Sequence, residues 1–346
     1  MSRATLRSVV LLAAASLAGC SDREVSKVNP IADPVDTWAF PITLNRDLDI
    51  LFVIDNSGSM AGEQASLAAN FPAFIGVLQT IQGGLPNVHI GIVSSNVGAA
   101  GQASVPGCAG QGDDGKLLVK AGCTGLTGSF ISDVADERGA RIKNYTGDLD
   151  ALFSCMAQLG TGGCGFEMHL ESAYRALQPG ANPGFYRPDA FLAVIVIADE
   201  DDCSTDMGAM FGDPTAGVGA PLGPRTSFRC FEFGVKCEDD ANPRAFGTRR
   251  GCRSRPSSPY MVEVERYVEF LKGLKSDPNL VVVSGIVGVD DDQHTVVGAA
   301  VRSSMFLMYM IDPKKFAAIT YDVPCFTFAS RQPLCVLVEQ HRILSL

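Results

Sequence analysis

Two kinds of apolar pattern alternate along the chain. Leu48–Asp55 is a nearly unbroken apolar run, Phe191–Ala198 is apolar throughout and stops at Asp199, and Val88–Ser94 and Asn279–Val287 are of the same kind. Short runs without alternation predict strands buried on both faces, as in a parallel sheet. Between them the period changes to that of a helix. Glu63–Ile81 places Leu67, Phe71, Phe74, Ile75, Leu78 and Ile81 on one stripe. Pro72 within it predicts a kink or a break, and Gly83-Gly84 a stop. Leu149–Leu159, a segment from about Glu167 to Leu177, and Pro259–Lys275 read as further helices. Buried strands alternating with amphipathic helices predict an α/β fold, a doubly wound, mostly parallel sheet flanked by helices.

Two stretches interrupt the pattern. Residues 96–141, rich in Gly and Asp, and residues 201–258 are too long for ordinary connections and are expected to be loop-like insertions. The domain then runs over 47–312. The segment 313–346 has no clear period, and Met305–Ile311 and Ala318–Val323 fit strands or short helices equally well. Before the domain, residues 20–46 are polar and carry Pro30, Pro34 and Pro41, as a tether would. Trp38 and Phe40 are its candidates for docking on the domain.

Composition narrows the function. At 46% hydrophobic and 19% charged residues, a folded core is expected rather than disorder. The net charge of -10 leaves no basic surface for a phosphate backbone, so nucleic acid is not an expected partner. The eleven cysteines, an odd number, include no CxxC pair. The N-terminus accounts for the oddness. Arg3 and Arg7 precede the apolar run Val9–Leu17, too short to span a bilayer, and then comes Leu17-Ala18-Gly19-Cys20. This sequence resembles the lipobox of bacterial lipoproteins. The resemblance implies a signal peptide over 1–19 and lipid on Cys20, the chain's only expected contact with a membrane. It also implies a place in the bacterial cell envelope. Ser21 stands where inner-membrane retention uses Asp, which favours the outer membrane. The other ten cysteines are then expected to form disulfides. Proximity in sequence suggests Cys108–Cys123, Cys155–Cys164 and Cys325–Cys335, with Cys203, Cys230, Cys237 and Cys252 forming two pairs of open connectivity.

The candidate chemistry lies where two buried strands end in aspartate, Asp55 and Asp199, because open α/β sheets bind ligands beyond the carboxyl ends of their strands. Asp55-Asn56-Ser57-Gly58-Ser59 can aim one carboxylate and two hydroxyls at a point, with Gly58 expected to supply permissive backbone. Hard oxygen donors of this kind suit Mg²⁺. The run Val53–Met60 resembles the metal-ion-dependent adhesion site of von Willebrand factor A (VWA) domains. A glycine turn before a helix and a later strand ending in Asp199 follow in the family's order. The resemblance covers roughly residues 48–287. It implies that Asp55, Ser57, Ser59 and Asp199 hold Mg²⁺ (or Mn²⁺ or Ca²⁺), and that a protein partner donates a carboxylate to the metal. One position departs from the family. In Gly160-Thr161-Gly162-Gly163-Cys164-Gly165, Cys164 stands where the family places a ligating Thr. A thiol is a poor ligand for a hard cation. Either the turn is shifted so that Thr161 reaches the metal, or the site is weakened.

The remaining motifs add less. Asp201, Asp202 and the Asp290-Asp291-Asp292 cluster read as solvated charge, and His169 as a helix-surface or packing residue. Two GxGxxG matches, at Gly160 and Gly110, lack the strand–turn–helix context of a dinucleotide site. No convincing base or nucleophile accompanies the metal-type motif, so the chain is not expected to be an enzyme. The expected function is that of a lipid-anchored binding module. The alternatives are a structural surface protein with a degenerate metal site and, less favoured, a metal-dependent envelope hydrolase.

Overall fold

The structure, a computed structural model, describes residues 45–102, 104–238, 242–245, 247–288, 294–297, 300–302, 325–327 and 333–336. The signal segment, Cys20, the tether to residue 44, Met305–Ile311, Ala318–Val323 and the Asp290–Asp292 cluster lie outside the described residues.

The strands are β1 (Asp47–Ile54), β2 (Asn87–Ser94), β3 (Ile131–Ala135), β4 (Arg141–Lys143), β5 (Phe191–Ala198), β6 (Val235–Lys236), β7 (Gly247–Arg249), β8 (Arg253–Ser254), β9 (Val281–Gly288), β10 (His294–Val297), β11 (Ala300–Arg302), β12 (Cys325–Thr327) and β13 (Pro333–Val336). The α-helices are α1 (Ala61–Thr80), α2 (Leu149–Met156), α3 (His169–Ala176), α4 (Phe228–Gly234) and α5 (Val264–Gly273). The main sheet has the order β12-β13-β9-β5-β1-β2-β3-β4. Its centre, β9-β5-β1-β2, is parallel. Both flanks are antiparallel, which narrows the expected parallel sheet to its four central strands.

Those four are the runs that the apolar pattern marked, and their burial shows why they lack alternation. In β1, Ile50, Phe52 and Ile54 join one core with Phe71, Ile75 and Leu78 of α1 and Leu152, Phe153 and Met156 of α2. Leu51 and Val53 join a second core with Leu170, Ala173 and Ala176 of α3 and Tyr267 of α5. Successive side chains of a strand point to opposite faces, so a sheet covered on both sides needs apolar residues at every position.

Helix α1 continues through Pro72, so the expected break does not occur. Proline has no N–H to give the carbonyl four residues earlier. Here the hydroxyl of Ser154, on α2, donates to that carbonyl, Ala68 O, at 2.8 Å. A neighbouring helix thus supplies the bond that the proline removes.

The insertions are not plain loops. The first ends in β3 and β4, which extend the main sheet beside β2. The second carries a 3₁₀ turn (Gly208–Phe211), α4 and the β6–β8 pair. Together they bury a third core: Val97, Val105 and Cys108 of the first meet Met210, Phe211 and Cys230 of the second, with Phe166 and Met168 between. The second insertion is also organised around Arg229, which is fully buried. Its guanidinium donates to the carbonyls of Met210 (2.6 Å), Gly223 (2.7 Å), Pro224 (3.0 Å) and Gly212 (3.1 Å).

The disulfides correct two expected pairs. Cys108 bonds Cys164 and Cys123 bonds Cys155, in place of Cys108–Cys123 and Cys155–Cys164. Sequence proximity fails here because the first insertion folds back over the glycine turn and α2, so partners 56 and 32 residues apart meet. The second insertion closes on itself, as expected, through Cys203–Cys230 and Cys237–Cys252. Cys325 and Cys335 are register partners on β12 and β13, and their side chains lie outside the described residues. Those two strands belong to the segment with no readable period; β13 pairs antiparallel with β9, and β12 with β13 completes the sheet edge.

Candidate functional site

The site stands at the carboxyl ends of β1, β2 and β5, where strand order reverses: the chain leaves β1 for β2 on one side and returns to β5 on the other. Register places Ile54 beside Ile197, so Asp55 and Asp199 emerge on the same edge, as their positions in the sequence suggested. The backbone N–H of Asp55 donates to Ile197 O at 2.9 Å, and that of Ser95, just past β2, to Ile54 O at 3.2 Å.

Asp55 is completely buried. Its Oδ1 accepts from the Ser57 N–H (2.7 Å) and the Ser95 hydroxyl (3.2 Å), while Oδ2 has no hydrogen-bond partner. Ser57 and Ser59 turn their hydroxyls toward each other, 3.3 Å apart. Gly58 does not use a glycine's freedom. Its backbone is not left-handed, and a Cβ there would meet nothing. The glycine that matters is Gly163. A Cβ at Gly163 would lie 2.0 Å from Asn56 Oδ1 and 2.8 Å from Asn56 O, and the Gly163 N–H donates to that same carbonyl at 2.8 Å. The glycine turn is therefore laid directly on the Asp55–Ser59 loop.

Gln64 fastens the other end of the turn. Its amide donates to Asp55 O and Gly160 O, both at 2.9 Å, and accepts from Gly160 N at 3.0 Å. Sequence reasoning missed this residue, although a signal exists. Gln64 is in phase with the buried stripe Ala68, Phe71, Ile75 and Leu78 of α1, and a polar residue on that stripe needs buried partners. Thr161 sits exposed on the turn between these two attachments. Cys164 is buried in its bridge to Cys108 and offers no thiol to a metal.

Beyond the turn, the structure adds residues the sequence did not single out. Glu167 is fully buried, and neither of its carboxylate oxygens has a hydrogen-bond partner. Its own carbonyl accepts from Cys203 N at 2.6 Å. Of the two expected places for His169, helix surface or packing, the structure shows the second: it is fully buried. Its Nε2 lies 3.9 Å from Asp55 Oδ2 and its Nδ1 3.8 Å from Asp202 Oδ1, ion-pair distances too long for hydrogen bonds. Asp201 and Asp202 are buried too, contrary to their reading as solvated charge. Asp202 Oδ1 accepts from Leu170 N at 3.0 Å, and Ser204 Oγ from Glu171 N at 3.0 Å. The second insertion thereby caps the first turn of α3, whose orphan N–H groups need acceptors.

Burial and mutual charge set the electrostatics. Burial alone would lower the pKa of His169, but the flanking Asp202 and Asp55 carboxylates outweigh it and push the imidazole up to about 10. Burial raises Asp55, yet His169 and the Ser57 amide hold it below the usual carboxylate range. Glu167 is driven well above that range by burial and by the charges of Glu200 and Asp55. Asp199 is raised by burial, opposed by a hydrogen bond from Ser59 and reinforced by the charges of Asp55 and Glu63. Glu200 is raised by burial and by Asp199 and Asp55. One imidazolium thus faces a group of carboxylates that repel one another.

Asp55 Oδ2, Asp199 Oδ1 and both Glu167 oxygens are buried acceptors without hydrogen-bond donors, and of these Asp55 Oδ2 already has the His169 imidazolium at 3.9 Å. These four atoms are hard oxygens, suited to Mg²⁺, Mn²⁺ or Ca²⁺, while the two ring nitrogens of His169, also without hydrogen-bond partners, lie against Asp55 and Asp202. Among the described residues, no three His, Cys, Asp or Glu side chains already converge as a ligand set. The hydroxyls of Ser57 and Ser59 are therefore needed to complete one. The residues fit a cation on that condition.

A scan against protein-family models gives no match, and a search of curated proteins finds no similar sequence.

Proposed function

We propose that this protein is a lipid-anchored binding module of the bacterial envelope. Its VWA-type site holds a divalent cation on Ser57, Ser59, Asp55 and Asp199, and the cation in turn takes a carboxylate from a protein partner. The observation that carries this reading is the pair of unpartnered oxygens, Asp55 Oδ2 and Asp199 Oδ1, on the same edge of the sheet as two facing hydroxyls. A bound cation would supply positive charge at that edge and an open coordination position. The protein residues orient the donors: the Ser57 amide and Ser95 hold Asp55, and Gln64 and Asn56 hold the turn. The reading assigns no catalytic group.

Calorimetry with Mg²⁺, Mn²⁺ and Ca²⁺ tests the first half. Binding heat in the wild type that Ser57→Ala abolishes is expected. Capture of envelope proteins with and without Mg²⁺, using Asp55→Ala as control, tests the second. Capture that survives both metal removal and the substitution would sink the reading. The Cys108–Cys164 bridge favours a second reading, a structural surface protein whose metal site has lost its Thr donor. No binding heat for any of the three cations would establish that one.

A further inference from the structure

We propose that Glu167 is itself a ligand of this cation site, supplying the oxygen donor that the glycine turn lost when Cys164 was committed to a disulfide. The proposal rests on the cation reading above and adds a residue that the Asp-x-Ser-x-Ser pattern does not contain.

Three observations converge. First, Glu167 is fully buried with both oxygens unpartnered, and among the described residues it is the one carboxylate for which this is true of both. The protein's other buried carboxylates show how it normally treats such groups. Asp49 takes the Arg187 guanidinium at 2.7 Å, and Asp133 takes Arg141 at 2.6 Å and the Tyr145 hydroxyl at 2.6 Å. Glu171 takes Arg175 at 2.9 Å and Tyr267 at 2.8 Å, and Asp202 takes the amides of Leu170 and Ser204, both at 3.0 Å. The charge of His169 acts on Glu167, but no donor touches either oxygen, so both remain open to a cation.

Second, its backbone is fixed at the site. The Glu167 carbonyl accepts from Cys203, and the next N–H, that of Met168, donates to Ser95 O at 3.0 Å. Ser95 is also the residue whose hydroxyl holds Asp55. Third, the charges bearing on Glu167 include those of Glu200 and Asp55, opposed by His169, so it shares surroundings with the buried Asp55. Glu167 lies three residues past Cys164, where a longer side chain can deliver an oxygen that the bridged cysteine cannot. The three carboxylates do not already converge as a ligand set, so Glu167 would join Asp55 and Asp199 only on cation binding, and a third carboxylate donor favours cations that accept many oxygens. Ca²⁺, which takes six to eight, should gain more from it than Mg²⁺, which keeps several waters.

The test uses the mature chain with its disulfides intact. Mg²⁺, Mn²⁺ and Ca²⁺ are titrated calorimetrically into the wild type, Glu167→Gln, Glu167→Met and Ser57→Ala. The expected result is binding by the wild type, none by Ser57→Ala, and at least a tenfold loss of affinity in both Glu167 variants, largest for Ca²⁺. Thermal melts give an independent readout. Without cation the Glu167 variants should melt above the wild type, because a buried acidic group without hydrogen-bond partners is gone, and with saturating Ca²⁺ the order should reverse. The Met variant brings no polar group that needs a partner, so it serves if the Gln variant does not fold. Wild-type binding that Ser57→Ala abolishes, with less than a tenfold loss in the folded Glu167 variant, overturns the assignment of Glu167 and leaves the cation reading standing. A wild type that binds no cation overturns both.

Discussion

Ser154→Ala should destabilise the protein only because Pro72 is present. Pro72 removes the helical donor to Ala68 O, and the Ser154 hydroxyl, at 2.8 Å, takes its place. Ala68 is buried at 6% exposure, so deleting the hydroxyl leaves its carbonyl with little access to water. A buried polar group stripped of its partner costs about 1–3 kcal/mol. Ser154 itself is only partly buried, which places the expected loss toward the lower end, about 1–2 kcal/mol. Pro72→Ala restores an N–H that can reach Ala68 O along the helix, so Ser154→Ala made in that background should cost under about 0.5 kcal/mol. The coupling energy between the two sites is thus about 1 kcal/mol, within the range found for residues that share a partner. Guanidinium unfolding of the four proteins under non-reducing conditions measures it, with unchanged m-values as the check on a common unfolding reaction. Equal costs of Ser154→Ala with Pro72 and with Ala at that position would refute the reasoning, because the hydroxyl would then serve something other than the proline's gap.

Other consequences can be checked in the same way. Gly163→Ala forces a Cβ to within 2.0 Å of Asn56 Oδ1, so the glycine turn should lift from the Asp55–Ser59 loop. Calorimetry is expected to show weaker cation binding while circular dichroism stays unchanged. Arg229→Met leaves four carbonyls of the second insertion without their donor, and stability should fall by at least about 3 kcal/mol in chemical unfolding. Gln64→Ala should loosen the turn at its Gly160 end, read as faster amide exchange over residues 160–163 than in the wild type. His89 has a folded-state pKa lowered from 6.5 by burial and by the charge of Arg187, opposed by its bond to Phe185 O. The unfolded chain therefore binds the proton first. Stability is full above pH 6.5 and falls as pH drops through 6.5 toward the lowered folded value. His89→Asn, measured between pH 7 and 5, should show a shallower fall than the wild type.

Much of the architecture was legible in the chain, and the reason is local. A strand covered on both faces has to be apolar at every position, so β1, β2, β5 and β9 announce themselves, and Asp55 and Asp199 follow from where two of them stop. Helical spacing likewise located α1, α2, α3 and α5 to within a few residues of their observed ends. Asp55, Ser57 and Ser59 were legible because one turn carries all three. What the sequence hid depends on distant partners. Pro72 looked like a break because its substitute donor sits on another helix. The cysteines were paired by proximity, while folding of the first insertion over the glycine turn brought Cys108 to Cys164 and Cys123 to Cys155. Asp202 looked like a solvated loop charge, Glu167 only like the start of a helix and His169 like a surface or packing residue, and the packing of α3 beneath the second insertion withdraws all three from water. Periodicity records which faces a segment buries. It carries no record of which loop closes over which, and here that closure decides what surrounds the candidate metal site.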